Sequence, residues 1–325
     1  ATAQIFAMDT VMEVAAYGEH AEQAVKYTEK RIEELENRLS RTKADSLVSG
    51  LNRDGSIRHL TYDYWNLIAR AKEYRDATNG AFDITIAPVM DAWGFTGDSF
   101  RVPEQSELDT LLKKVNSDAI QMLGSPSDSV TLGEGQAIDL GGIAKGYTSD
   151  WVEQTFRANG IESGKISLGG NVFVLGTKPD GSDWRVGIKD PRNESGLAAI
   201  LSLRDAYAIT SGGYERYFEE NGKTYHHIID PSTGYPADSG LLSVTVVAAD
   251  NGPDWAGAGN GAMCDAFSTA LFVMGEEQAL DFWRNGGYDF DLVLVTEDGR
   301  VVITAGLADR FEEVKDSGYT YETVS

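Results

Sequence analysis

Apolar residues in this chain recur in blocks of period two and blocks of period 3.6, and the two kinds of block are mixed without a regular strand–helix–strand rhythm. That ordering favours an α+β fold over a doubly wound parallel sheet. Ile5–Tyr17 alternates like a strand, and His20–Leu39 places Val25, Ile32, Leu35 and Leu39 on one stripe, which predicts an amphipathic helix. Asp45-Ser46 caps a short helical turn ending at Asn52, and Thr61 caps a second helix from Tyr62 to about Thr78, stopped by Asn79-Gly80. A helix over Pro103–Val115 and short strands at Ala119–Leu123 and Ser129–Leu132 follow. Lys165–Gly176, Trp184–Lys189 and Leu197–Ile209 read as strands, and Leu241–Ala249 as a buried one from its β-branched content. A helix opens at Cys264, another spans Glu276–Asn285, and Phe290–Thr304 reads as a hairpin turned at Glu297-Asp298-Gly299-Arg300. With no repeat or clear linker, residues 1–325 read as one domain with internal subdomains.

Charge narrows the partners. Against 28 Lys and Arg stand 51 Asp and Glu, a formal −23. Such a surface repels phosphate backbones and anionic lipid, which argues against nucleic-acid binding. An anionic ligand would need a basic pocket and a cation to help hold it. The single cysteine, Cys264, excludes an intramolecular disulfide and a cysteine-based zinc cluster. No apolar run reaches the roughly 20 residues of a membrane-spanning helix. The opening ATAQIFAMDT has neither the basic nor the apolar region of a signal peptide, which leaves the compartment open.

Three stretches carry candidate chemistry. Ala206–Pro236 holds two of only four histidines, His226 and His227, with Lys223–Ile229 expected as a strand. Alternation puts His227 on a face with Tyr225 and Ile229, and His226 on the other with Ile228, so the pair cannot ligate one ion. A lone imidazole before the Asp230-Pro231 turn suits a proton acceptor, or a histidine packed at a sheet edge. In Gln136–Trp151 a strand is expected to end at Asp139, turn at Gly141-Gly142 and enter a helix. That arrangement makes an anion site, with Lys145 adding positive charge. The spacing matches neither GxGxxG nor GxxxxGK[ST], so it is neither a Rossmann nor a P-loop signature. Asp265 and Thr269 lie four apart on one helical face; with a backbone carbonyl they would form a hard-oxygen site, or Asp265 would simply cap its helix. Asp83, amid Phe82 and Ile84, is of the kind that satisfies backbone donors in a turn. Asn251–Met263 reads as a flexible insert.

Taken together, Met8-Asp9-Thr10, Ser46 through Asn52, GAFDITIAPVMDAWGF, IDLGGIAKGYTSD, SLGGN, ITSGGYERYF, HHIIDPSTGYP and DAFSTALFVMG resemble the ApbE family in content and order, from Met8 to about Asp309. The resemblance implies a single-chain, T-fold-related α+β architecture with mixed sheets and flanking helices. It implies Mg²⁺-dependent transfer of FMN from FAD to a Thr or Ser hydroxyl of an acceptor redox protein, with release of AMP. Position by position, Met8, Ala81, Phe82, Asp83, Asp139, Lys145 and Ile229 match FAD-contacting positions. Asp265 and Thr269 match metal ligands, with the Gly142 carbonyl as third, and His227 matches the base.

Two departures stand out: Asp9 where the family usually has Gly, and Thr42 where an aromatic often stacks on the flavin. The Asn251–Met263 insert is longer than the family norm. The resemblance also implies a location outside the cytoplasm, as a lipid-anchored membrane lipoprotein in precursor form; the chain as given has no N-terminal Cys for that anchor. The same groups would serve a Mg²⁺-dependent FAD pyrophosphatase if water attacked, and a non-catalytic FAD-binding protein is the third reading.

Overall fold

The structure, a computed structural model, describes residues 1–97, 99–124, 129–252 and 259–325. A nine-stranded sheet runs through the molecule in the order Thr2–Ala7, Thr10–Tyr17, Ser163–Leu168, Asn171–Leu175, Ala206–Gly212, Leu241–Ala249, Asp291–Thr296, Arg300–Thr304, Thr320–Val324. All neighbours are antiparallel except the last pair, which is parallel. The expected α+β class is what is found.

The central strands are buried on both faces, and alternation sorts their side chains. Leu292, Leu294, Val244 and Val246 join a core beneath the Ala21–Leu39, Tyr62–Ala77, Gly141–Ala158 and Asn260–Asn285 helices. Val293, Val295 and Val247 face a second core, closed by a three-stranded sheet of Trp184–Asp190, Asn193–Leu203 and Phe311–Glu313. A period of two in a two-sided strand reads as continuous hydrophobicity, which is why these segments are β-branched throughout. A third, smaller cluster gathers Val89, Trp93, Phe95, Leu108 and Ile229.

Several expected boundaries move. Ile5–Tyr17 is two strands, not one: Ala7 pairs with Thr10, and Met8 and Asp9 form the two-residue turn at φ 50° and 59°. Two consecutive left-handed residues fit the right-handed twist of a hairpin, and Asp tolerates that region at the position where glycine is the usual choice. No strand is found over Gln136–Leu140. The Asn52 side chain takes the place of a neighbouring strand there, donating to the Ile138 carbonyl at 2.9 Å and accepting from its N–H at 2.7 Å. The strand expected over Lys223–Ile229 ends at His226, beyond which one isolated bridge joins Ile229 to Pro236. The helix expected from Pro103 spans Gln105–Leu111 and tightens into a 3₁₀ turn over Leu112–Lys114. The two helices expected after Cys264 run as one, Asn260–Asn285, interrupted at Gly275 (φ 79°). Residues 253–258 of the insert lie outside the described residues.

The Gly141–Ala158 and Asn260–Asn285 helices cross in backbone contact. A Cβ on Gly146 would lie 2.0 Å from the Gly261 carbonyl oxygen and 2.6 Å from Asp265 Cβ. Backbone cannot yield as a side-chain tip can, so Gly146→Ala is expected to destabilise the protein by about 3 kcal/mol, the upper end of the usual overpacking range. Gly50→Ala, also in a helix but with only the Arg53 guanidinium within 4 Å, is the control and should be neutral or stabilising. Urea midpoints compare the two; equal midpoints would contradict the crossing.

Candidate functional site

Each of the two crossing helices presents residues at i, i+4 and i+8, which share one helical face. Gly142, Gly146 and Asp150 on one meet Thr269, Asp265 and Gly261 on the other, in antiparallel register. At the first rung a Cβ on Gly142 would stand 3.5 Å from Thr269 Oγ1 and 3.1 Å from the Phe82 ring. At the second the Gly146 N–H donates to Asp265 Oδ2 at 2.8 Å. At the third the Gly261 N–H donates to Asp150 Oδ1 at 2.7 Å.

The second rung shapes the first. In a regular helix the N–H of Gly146 would bond the carbonyl of Gly142, four residues back. Asp265 competes for that N–H, so the Gly142 carbonyl retains acceptor capacity for another partner. Asp265 itself is 2% exposed, and its Oδ1 accepts no hydrogen bond among the described residues. Thr269 donates to the Asp265 carbonyl at 3.3 Å and lies 3.2 Å from Ser211 Oγ, which also meets Ser268 Oγ at 2.8 Å. Ser211, near the end of the Ala206–Gly212 strand, is a site residue with no sequence signal beyond its place before Gly212-Gly213. A carboxylate oxygen, a hydroxyl and a carbonyl are the hard donors that suit Mg²⁺. No group of three or more His, Cys, Asp or Glu side chains could hold a metal among the described residues. A cation here would therefore rest on one carboxylate and complete its shell from water and substrate phosphate, as Mg²⁺ commonly does. The donor set fits.

His227 reaches this region from the far side. Its backbone N–H and its Nδ1 both point to the Arg216 carbonyl, at 3.0 and 3.1 Å. A carbonyl can only accept, so Nδ1 carries the proton and Nε2 keeps a free lone pair. Burial, followed by the positive charges of Lys145 and Arg216, lowers its pKa from 6.5 to about 4, so at neutral pH the ring is an uncharged acceptor. His226 turns away: its Nε2 lies 3.0 Å from the Ala237 carbonyl and its ring packs edge-on to Phe272. The segment is held by the third core. Trp93 donates from Nε1 to the Gly234 carbonyl at 2.7 Å and packs 5.3 Å from Tyr225 and 5.4 Å from Tyr235.

Lys145 is half-buried in the second turn of its helix, and its ammonium makes no ion pair or hydrogen bond among the described residues. Its charge acts on both His227 and Glu215, and Glu215 also feels Asp265, which places the four groups in one neighbourhood. The helix N-terminus is less open than expected. Asp139 Oδ1 accepts from the Gly141 N–H at 2.7 Å, and the Ile143 and Ala144 N–H groups bond the Leu140 carbonyl. Gly142 keeps the one first-turn N–H without an acceptor among the described residues. Asp139 is in turn paired at 3.1 Å with Arg41, which also grips Asp91 at 2.8 Å. The anion site is thus Lys145 and one N–H, with a carboxylate beside them.

A sequence model of the ApbE family matches residues 8–292. The chain belongs to that family. It is 31% identical over 307 residues to the FAD:protein FMN transferase of Treponema pallidum (strain Nichols), covering 90% of this chain and 82% of that one. With the FAD:protein FMN transferase of Klebsiella pneumoniae (strain 342) it shares 33% over 294 residues, 89% and 86% of the two chains. Among solved structures the ApbE protein of Thermotoga maritima superposes with a TM-score of 0.82 at 30% identity, over 97% of both chains. The apo flavinyl transferase ApbE of Pseudomonas stutzeri gives 0.75 at 26%, over 97% of this chain and 94% of that one. The family, the mixed α/β architecture and the transferase class expected from the sequence are borne out.

The remaining ApbE-matched positions divide by where they sit. Met8, in its hairpin turn, lies over the Gly141–Ala158 helix with its sulfur 3.8 Å from Thr148 Oγ1. Phe82 lies against Gly142, next to half-buried Ala81. Ile229 is buried in the aromatic cluster. Asp83 turns inward, accepting from the Thr85 N–H and hydroxyl at 2.8 and 2.7 Å and from the Ser117 N–H at 3.1 Å and its hydroxyl. It ties two turns together, the structural alternative foreseen for it. Thr42 is exposed, its hydroxyl 3.1 Å from Ser40 Oγ and its N–H donating to the same oxygen at 3.2 Å.

A histidine kept neutral by the fold stabilises it at high pH. The His227 contribution is complete above about 6.5 and is lost as pH falls toward about 4, because the unfolded chain then binds the proton more readily. An NMR titration of the free protein should place the His227 midpoint near 4. A midpoint at 6.5 would show that the ring is neither desolvated nor under the field of Lys145.

Proposed function

We propose that the protein moves the FMN moiety of FAD onto a Thr or Ser hydroxyl of an acceptor redox protein, forming a phosphoester and releasing AMP. The observation that carries this reading is the convergence on one small region of an imidazole with a free Nε2, an unpaired Lys145, and the hard-oxygen set of Asp265, Thr269 and Gly142. The names of its curated ApbE relatives support it. The acceptor hydroxyl oxygen would form a bond to the FMN-side phosphorus as the bond from that phosphorus to the AMP oxygen breaks in line. The hydroxyl proton would pass to His227 Nε2, and AMP would leave with the bridging oxygen. Lys145 and the Gly142 N–H would hold phosphate oxygens, and Phe82 and Met8 would line the dinucleotide. Mg²⁺ held by Asp265, Thr269 and the Gly142 carbonyl would, when bound, supply positive charge against the diphosphate oxygens. Without such charge, so acidic a protein would repel a dianionic substrate. A site outside the cytoplasm, with the precursor lipid-anchored, belongs to the same proposal; no helix among the described residues is long and apolar enough to cross a membrane.

His227→Ala is expected to lower transfer at least 100-fold, the usual range for losing a general base, while FAD affinity stays within a few-fold. Asp265→Ala should abolish the response to added Mg²⁺ along with activity. The assay incubates protein, FAD, Mg²⁺ and a candidate acceptor, then reads covalent flavin fluorescence on the acceptor in a denaturing gel. Free FMN and AMP without labelling would instead assign FAD hydrolysis, and FAD left intact would assign a binding protein. An unchanged rate in either variant would remove the role given to that residue.

A further inference from the structure

The third rung of the helix crossing serves neither substrate nor base. The Asn260–Asn285 helix starts after Gly259, which has no side chain to cap it, and no local side chain substitutes among the described residues. The N–H groups of Gly259, Gly261 and Ala262 are nevertheless satisfied. Asp150, from the facing helix, accepts from Gly259 at 2.9 Å, Gly261 at 2.7 Å and Ala262 at 3.0 Å. This carboxylate is 3% exposed, and burial raises its pKa to about 7 even against those three donors. Burying a carboxylate is costly, and three charge-assisted bonds at a helix N-terminus offset that cost. The helix it fixes carries Asp265 one turn further on and Thr269 one turn beyond that.

We propose that Asp150 is a positioning residue for the cation site: by capping the Asn260–Asn285 helix from the neighbouring helix, it sets the distance of Asp265 and Thr269 from the Gly142 carbonyl. This rests on the reading of those three groups as the metal-holding set. Asp150 and Gly142 lie on the same face of one helix, two turns apart, so a shift at the third rung is transmitted to the first along two rigid rods. Outer partners of metal ligands typically account for 10- to 100-fold in metal affinity.

The test uses Mn²⁺, which favours the same oxygen donors, with the full chain and FAD present. Bound Mn²⁺ is read by EPR in the native protein and in Asp150→Asn, which keeps the volume and loses the charge and one acceptor. The expected result is at least a tenfold weaker Mn²⁺ affinity in the variant, with FAD affinity within twofold and faster hydrogen exchange confined to residues 259–265. Equal Mn²⁺ affinity in a folded Asp150→Asn overturns the role of Asp150 and leaves the metal reading standing. Failure of the native protein to bind Mn²⁺ overturns the metal reading and this one together. An independent check needs no variant: the Gly261 and Ala262 amides of the native protein should exchange as slowly as a helix interior, and fast exchange there would remove the cap.

Discussion

Two helices that touch backbone to backbone at Gly146 and Gly261 set the geometry of this protein. Glycine at both positions removes the Cβ atoms that would hold the axes apart, and the gap is closed by carboxylates reaching in opposite directions. Asp265 reaches from the second helix to the backbone of the first, and Asp150 from the first to the backbone of the second. Each interaction puts a buried carboxylate against peptide N–H of the opposite helix, and each fixes the register of the other. The hard-oxygen donors at the first rung follow from this register, in which Asp265 competes with the Gly142 carbonyl for the Gly146 N–H.

The rest of the fold brings an imidazole toward that crossing. The nine-stranded sheet supports both helices from below and delivers Ser211 at a strand end, against Thr269. A separate aromatic cluster around Trp93 holds the 225–236 segment, so His227 is positioned by a core distinct from the one under the helices. The two meet where His226 packs edge-on to Phe272 and Ile228 joins the core under the helices, and Lys145 adds its charge across the gap. The imidazole stays neutral because it is desolvated beside a cation, and its Nδ1 is committed to a carbonyl. Both conditions leave Nε2 as the free acceptor.

Much of this was legible in the chain. The four-residue spacing of Asp265 and Thr269 placed them on one face, the alternation at His226-His227 separated the two rings, and strand and helix periods gave the fold class. What was not legible is what depends on partners distant in sequence. Nothing near Ile138 says that Asn52, 86 residues away, completes its hydrogen bonds in place of a strand. Nothing near Gly141 says that Asp139 turns back to occupy its N–H while Arg41 neutralises it. The Met8-Asp9 turn escaped notice because neither residue is glycine, although Asp is among the few others that accept a positive φ. Nothing near Gly259 says that Asp150, 109 residues away, accepts from its N–H.

On the proposed function, one cation site at the helix crossing and one imidazole from a separate core would address the same diphosphate. A crystal structure with FAD and Mn²⁺ tests it most directly, with the metal located by its anomalous signal. The account predicts the metal on Asp265 Oδ1, Thr269 Oγ1 and the Gly142 carbonyl, with diphosphate oxygens completing its shell. It also predicts His227 Nε2 facing the FMN-side phosphorus, with room between them for one hydroxyl. A diphosphate bound away from the crossing, or a metal on other ligands with His227 turned from the phosphorus, would contradict it.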